Sequence, residues 1–243
     1  MKQLAESIKV WIKEKVKESA CNGGLVAMSG GVDSSVVAVL TKKALGKHML
    51  GLILPCDSNP EDKKHAMLVA KKFNISTKEI DLTDIYKSFT KILPKAGKTV
   101  LGNLKARIRM AVLYYFANKY KYLVVGTSNK TEIMTGYMTK YGDSACDIEP
   151  IGNLYKTEVV ELAKYLKIPK DIIKKPPSPG LWKGQKDEEE LGINYELLDN
   201  ILRCIESGAR KNFSSEAVKK VKLMIKNSEH KRKFPEIFRK NNI

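Results

Sequence analysis

The sequence predicts an α/β fold of three layers, a central parallel sheet of about five strands covered by helices on both faces. Two patterns predict it. Short apolar runs of strand length recur at Leu25-Val26-Ala27-Met28, Met49 to Leu54, Ile75 to Leu82 and Tyr122 to Val125. Between them lie longer stretches whose apolar residues are spaced three and four apart, as on one face of a helix. Strands alternating with helices give parallel pairing through right-handed crossovers, and strands covered on both faces read as continuous apolar runs. Ligands of such sheets bind outside the carboxyl ends of the strands, where Ser29, Pro55, Asp81 and Thr127 all fall.

Each element has its own local reason. Residues 1–20 hold an amphipathic helix with Leu4, Ile8, Trp11, Ile12 and Val16 on one face. After the first strand and its helix comes the second strand, which Pro55 ends. A helix over 61–72 leads to the third strand, Ile75 to Leu82, and Thr83 is placed to cap the next helix. The spacing predicts a long helix over 98–119, with Leu101, Leu104, Ile108, Val112, Tyr115 and Phe116 as its apolar stripe. Arg107 and Arg109 on that helix point about 200° apart, so they serve different tasks. A fourth strand starts at Tyr122, and a short fifth is expected near Ile148–Ile151. Residues 174–189, with three prolines and two glycines, read as an irregular loop, a lid or a flexible joint. The tail, 194–243, predicts helices near 195–207 and 214–227 before the basic stretch His230-Lys231-Arg232-Lys233. No repeat or low-complexity linker divides the chain, so one domain over 1–243 is expected.

The most informative stretch is Ser29-Gly30-Gly31-Val32-Asp33-Ser34-Ser35, between the first strand and its helix. A helix start has free N–H groups and a partial positive charge, so its natural guest is an anion. The two glycines let that anion approach the backbone, and Ser29 and Ser34 add hydroxyls. A carboxylate beside a phosphate is repelled unless a metal lies between them, which makes Asp33 a candidate magnesium ligand. The loop is too short for a Walker A motif and lacks its lysine. It has the form of pyrophosphate loops that split ATP between the α- and β-phosphates.

Bulk properties exclude several other classes. No stretch approaches the ~20 consecutive apolar residues of a membrane span. The lysine-rich N-terminus has no apolar block followed by a cleavage site, so a cytoplasmic location is expected. Cys21, Cys56, Cys146 and Cys204 form no CxxC pair, which excludes a zinc cage and a disulfide framework. The net charge of +17 invites a nucleic-acid reading. The excess is mostly lysine spread along the chain with few interleaved aromatics, and such surfaces also occur in proteins of hot environments.

Two further clusters follow the phosphate loop. Gly126-Thr-Ser-Asn-Lys-Thr-Glu132 runs from a strand end into a helix start, with Thr127 placed for a nucleotide and Glu132 as a second hard oxygen ligand for magnesium. Then Lys140 to Asp147 packs a lysine and two carboxylates around a glycine turn, and Lys156 opens another helix. Lysines for phosphates, with carboxylates for a metal and a polar substrate, make a site.

These motifs together resemble the NAD synthetase family. The resemblance rests on SGGVDS at 29–34, GTSNKTE at 126–132, TGYMTKYGDSACD at 135–147, the Lys156 region, the Pro-Pro-Ser loop, DEEELGINYELLD at 187–199 and EHKRK at 229–233, and it runs from about residue 20 to 235. It implies a Rossmann-like fold of the adenine nucleotide alpha hydrolase-like kind and a homodimer. The reaction it implies is amidation of deamido-NAD (nicotinic acid adenine dinucleotide) with ammonia, dependent on ATP and magnesium and passing through an adenylate. Carried over by residue, ATP would meet Ser29, Gly30, Gly31, Val32, Asp33, Ser34, Thr127, Lys156 and Ser178. Asp33 and Glu132 would hold Mg2+. Arg107, Lys140, Asp147, His230 and Lys231 would bind deamido-NAD, partly across the dimer interface. Asp143 falls where the family has an acidic residue suggested to handle ammonia, so Asp143 and Lys156 are the catalytic candidates. One departure stands out: many members follow Leu-Pro with an aromatic and glycine, where this chain has Leu54-Pro55-Cys56-Asp57-Ser58-Asn59. The chain shows no glutaminase domain, so free ammonia or a separate glutaminase subunit would supply nitrogen. The rival class is a tRNA-modifying pyrophosphate-loop enzyme, and a non-catalytic ATP-binding protein is a third reading.

Overall fold

A computed structural model describes residues 1–182, 184–209 and 212–238; the last residues of the expected tail, 239–243, lie outside it. In chain order the first half runs α1 (Lys2–Glu18), β1 (Gly23–Ala27), α2 (Val32–Leu45), β2 (Met49–Ile53), α3 (Pro60–Lys72), β3 (Thr77–Glu79), α4 (Thr83–Ile92), α5 (Lys98–Tyr120) and β4 (Tyr122–Val124). The second half is helical: α6 (Lys130–Thr135), α7 (Lys156–Tyr165), α8 (Lys170–Lys174), α9 (Asp187–Leu191), α10 (Tyr195–Ser207), α11 (Ser215–Asn227) and α12 (Glu229–Arg232).

The sheet is parallel with strand order β3-β2-β1-β4. Among the described residues it has four strands, one fewer than expected. The fifth is reduced to a single parallel bridge, Val125 to Ile148. Pro150 explains the stop, since it offers no N–H to extend a ladder. Thr83 is not the cap of α4: its own N–H donates to Asp81 Oδ1 at 2.8 Å, so the preceding aspartate closes that turn.

Alternation along the strands divides the core between two faces. Val26, Met28, Met49 and Ile53 pack with residues of α1, α2 and α7, while Leu25, Leu52, Leu54 and Val124 pack with Tyr86, Ile108, Leu113 and Ala117. A third apolar cluster, Leu198, Ile201, Leu202 and Val221, joins α10 and α11. The irregular loop is shorter than expected. Lys174 ends α8, and α9 already begins at Asp187, because four acidic residues in its first turn complement the helix dipole. Lys183 within that loop lies outside the described residues.

Candidate active site

The site begins at the N-terminus of α2. Gly30 holds φ +82°, and a Cβ there would lie 2.1 Å from the Asp62 carbonyl oxygen of α3, so glycine is required twice over. Gly31 meets nothing of the protein closer than Ser29 Oγ at 3.4 Å. One glycine lets α3 pack; the other leaves the backbone open to a guest. The Ser29 and Ser34 hydroxyls lie 3.0 Å apart, and Ser34 and Ser35 Oγ donate to the Gly31 carbonyl at 3.1 and 2.7 Å.

Across from this loop α6 and α7 bring in the other charged groups. Asn129 caps α6: its Oδ1 accepts the Glu132 N–H at 3.0 Å, and Glu132 Oε2 accepts the Asn129 N–H at 3.1 Å. This reciprocal box fixes Glu132. Asn129 Nδ2 also donates to Asp33 Oδ1 at 3.0 Å, tying α6 to the phosphate loop. At the start of α7 the Lys156 N–H donates to Thr131 Oγ1 at 3.0 Å. The Lys156 ammonium is bonded to Asp33 Oδ2 and lies 3.7 Å from Glu132 Oε1. Burial works against that ammonium, yet Asp33 and Glu132 more than offset it and raise its pKa. Burial, with Asp33 as a second negative neighbour, holds Glu132 well above the ordinary carboxylate range despite Lys156. Burial also raises buried Asp187, whose Oδ2 accepts the Tyr195 hydroxyl at 2.7 Å. The region is short of positive charge.

That shortage supplies a test for magnesium. Asp33 and Glu132 converge on one cation, and in this structure the Lys156 ammonium occupies that role. Two carboxylates suit Mg2+, which keeps several waters and takes phosphate oxygens for its other positions. The donor set therefore fits.

A cavity of about 1040 Å³ opens over these groups. Of the expected ATP residues, Ser29, Gly31, Val32, Asp33, Ser34, Thr127, Lys156 and Ser178 line it, as does the metal candidate Glu132; Gly30 does not and faces α3. Asp143 and Lys231 line it as well. Asp143 is exposed to the cavity; the protein crowded around its other sides takes away part of its solvation and raises its carboxyl, against the Thr139 N–H that donates to Oδ1 at 2.9 Å. Lys231 Nζ donates to the Gly136 and Met138 carbonyls at 2.7 and 2.9 Å. The remaining dinucleotide candidates lie outside the cavity. Arg107 is exposed and its Nε donates to the Lys140 carbonyl at 3.3 Å, while Lys140 Nζ donates to the His230 carbonyl. These three form one surface group beside Lys231. Asp147 is elsewhere, accepting the Tyr114 hydroxyl at 3.1 Å and the Val124 N–H at 2.7 Å.

Several residues went unassigned by sequence. Asn129 was readable, as an N-cap followed three residues later by glutamate. Arg109 takes the task its opposite face predicted: it lines the cavity, with Nε donating to the Leu54 carbonyl at 3.0 Å and Nη2 to Ser58 Oγ at 2.9 Å. It braces the loop after β2, where the sequence departs from the family pattern. Asp187 carried no local signal, because Tyr195 of α10 and Tyr137, just after α6, cover it from a distance.

A parallel sheet, an amide-lined turn at the end of β1 and a lysine held between carboxylates define a nucleotide-binding α/β protein of the pyrophosphate-loop kind. A family model described as NAD synthase matches residues 4–235, so the correspondence takes in α1, beyond the residue 20 where the motifs begin. The chain belongs to the NAD synthase family. An NH(3)-dependent NAD(+) synthetase of Methanocaldococcus jannaschii is 53% identical over 248 residues, covering 97% of this chain and 96% of that protein. The solved NH3-dependent NAD synthetase of Campylobacter jejuni superposes with TM-score 0.87 at 34% identity, covering 98% of this chain and 99% of that one. An NMN synthetase of Francisella tularensis gives TM-score 0.89 at 36% identity, with 97% of each chain covered.

Proposed function

We propose that this protein is a ligase that makes NAD from deamido-NAD, ATP and ammonia through an adenylate. The observation that carries the reading is the convergence of Asp33, Glu132 and Lys156 on the phosphate loop, at one end of a cavity that also holds Asp143. A carboxylate is a poor electrophile. Attack by the nicotinate oxygen on the α-phosphorus of ATP forms a mixed anhydride and releases pyrophosphate. The α2 amides, the Ser29 and Ser34 hydroxyls and Lys156 stabilise the charge that builds on the departing phosphates. Asp33 and Glu132 would hold Mg2+, which neutralises phosphate charge when bound. Lys156 then gives up its place between the carboxylates and turns to the phosphates.

Ammonia attacks the activated carbonyl, AMP leaves, and one proton must be lost. At neutral pH the nitrogen source is mostly ammonium, so a base is needed. The raised carboxyl of Asp143 is a stronger base than an ordinary aspartate and an anionic seat for ammonium. Thr127 and Ser178 complete the ATP side. Lys231 serves the dinucleotide from the cavity lining, Arg107, Lys140 and His230 reach it at the edge of the cavity or from a second subunit, and Asp147, which lies outside the cavity, would meet it only from a second subunit. A homodimer is supported by Ile85, Phe89, Ile92 and Val100, which leave an exposed apolar face on α4 and the start of α5. Among the described residues no helix is long and apolar enough to cross a membrane, and the proposed location is the cytoplasm. Free ammonia, or a separate glutaminase subunit, is the proposed nitrogen source.

The NMN synthetase neighbour favours one variation, a mononucleotide in place of deamido-NAD. One assay decides. With ATP, Mg2+ and ammonium, deamido-NAD should give NAD and AMP in equal amounts, and nicotinic acid mononucleotide should react far more slowly. No NAD would end the reading; faster turnover of the mononucleotide would move it to NMN synthesis.

A further inference from the structure

Lys105 is a buried lysine outside the phosphate loop that none of the motifs explains. Its side chain is 4% exposed. All three N–H bonds of its ammonium are used: it donates to the Asp57 carbonyl at 3.1 Å, to Asp57 Oδ2 at 3.0 Å and to the Leu181 carbonyl at 3.0 Å. The ammonium also lies 4.7 Å from the centroid of the Tyr86 ring. Three separate pieces of chain thus meet on one cation: the wall helix α5, the loop after β2, and the roof segment 175–182 that lines the cavity mouth.

Two further features show that the joint is built. Asp57 stands at φ +51°, a left-handed conformation unusual for a residue with a side chain, and in it the carbonyl and carboxylate both reach the same ammonium. One turn before Lys105, Gly102 gives the roof its seat: a Cβ there would lie 3.1 Å from both the Leu181 side chain and the Trp182 ring. Burying an ammonium is costly, and an apolar residue would hold α5 in the core at least as well. What an apolar residue lacks is the power to bind two loop carbonyls and a carboxylate at once. The other end of the roof is held by the ion pair between Lys175 and Asp62 of α3.

We propose that Lys105 is a positioning residue, a latch that fastens the roof segment at Leu181 to the loop at Asp57 and so keeps water from the acyl adenylate until ammonia has reacted. The proposal rests on the adenylate reading above. In that reading the mixed anhydride has two fates: ammonia takes the acyl group and gives NAD with AMP, or water takes it and gives back deamido-NAD with AMP. A closed roof favours the first by excluding water. Without the latch the chemistry still runs, but ATP is consumed without product.

The test uses Lys105→Met, which keeps the apolar stem against Tyr86 and removes the donors, and Asp57→Asn, which suits a left-handed position and removes only the charge. In wild-type protein with limiting ammonium the ratio of AMP to NAD formed should stay near one. In Lys105→Met it should rise to about two or more, with a smaller rise in Asp57→Asn. The second readout needs no chemistry: chymotrypsin should cut after Leu181 or Trp182 about tenfold faster in Lys105→Met than in wild type, without substrates. A wild-type cutting rate in that variant overturns the latch. Faster cutting with a ratio that stays at one overturns its role in protecting the adenylate. Failure of the adenylate reading itself would show as no NAD from wild-type protein, and the cutting rates would still judge the latch. A Lys105→Met chain that did not fold would leave the ratio in Asp57→Asn to decide.

Discussion

Two lysines are buried around the cavity, Lys156 in its lining and Lys105 against the lining residues Asp57 and Leu181, and the protein balances their charges differently. Lys105 faces one carboxylate and two carbonyls, so its charge is matched within the protein. Lys156 faces Asp33 and Glu132, with the buried carboxyl of Asp187 also acting on it. Three acids crowd that one cation, and burial raises the carboxyls of two of them, Glu132 and Asp187. A balanced buried charge marks a joint between parts of the chain. An unbalanced one marks the place where a charged ligand completes the structure.

The largest expected effect breaks the comparison at its negative end. Lys156→Met should slow pyrophosphate release from ATP by about 10²- to 10³-fold, the scale of losing one donor to developing charge. It should also cost a few kcal/mol of stability in metal-free protein, because two facing carboxylates lose their cation. Millimolar Mg2+ should recover much of that loss by binding only the folded state. Lys105→Met should show neither the loss of pyrophosphate release nor the recovery with Mg2+. Melting curves with and without Mg2+, and pyrophosphate release in both variants, check this. Equal behaviour of the two lysines would erase the distinction.

A second prediction separates the steps along the cavity. Asp143→Asn should leave the exchange of labelled pyrophosphate into ATP nearly intact and slow amide formation by about 10²- to 10⁴-fold, the usual worth of a positioned base. Its rate should also lose any dependence on ionisation of that raised carboxyl. Equal loss in both half-reactions would move Asp143 from ammonia handling to general support of the fold.

The sequence was most legible where function sits in contiguous residues. The strand, turn and helix at 25–40 announce the phosphate loop, and Asp33 and Glu132, proposed from charge beside phosphate as a metal pair, come together around Lys156. The capping box at Asn129–Glu132 was readable too. Groups assembled across distance were not. The stripe expected for α5 included Tyr115, which is exposed, and passed over Lys105. Lys105 shares the helical phase of Leu101, Ile108 and Val112, but a charged side chain reads as solvated until Asp57, Leu181 and Tyr86 are seen to enclose it. Asp187 looked like part of an irregular loop for the same reason: its burial comes from Tyr195 and Tyr137, eight and fifty residues away.

The smallest expected effect concerns a mostly buried carboxylate that has no cationic partner among the described residues and does not line the cavity. Glu149 accepts the Ser128 N–H at 3.1 Å through Oε2 and the Cys146 thiol at 3.2 Å through Oε1, and it does not line the cavity. Burial pushes its carboxyl up to about 7 from 4.5. A raised carboxyl binds protons more readily folded than unfolded, so stability is highest on the acid side. It falls as pH rises from the unfolded value through the folded one, and is flat above that. At 1.36 kcal/mol per pH unit the cost above neutrality is at most about 3 kcal/mol. Glutamine keeps an acceptor for Ser128 and has no charge to bury. Glu149→Gln should therefore raise the melting temperature by several degrees at pH 8 and by little at pH 5. A gain that is the same at both pH values would mean that Glu149 is not proton-linked to folding. The predicted gap would extend the comparison to a third case: a mostly buried carboxylate that meets neither a cation nor the cavity balances its charge by keeping a proton.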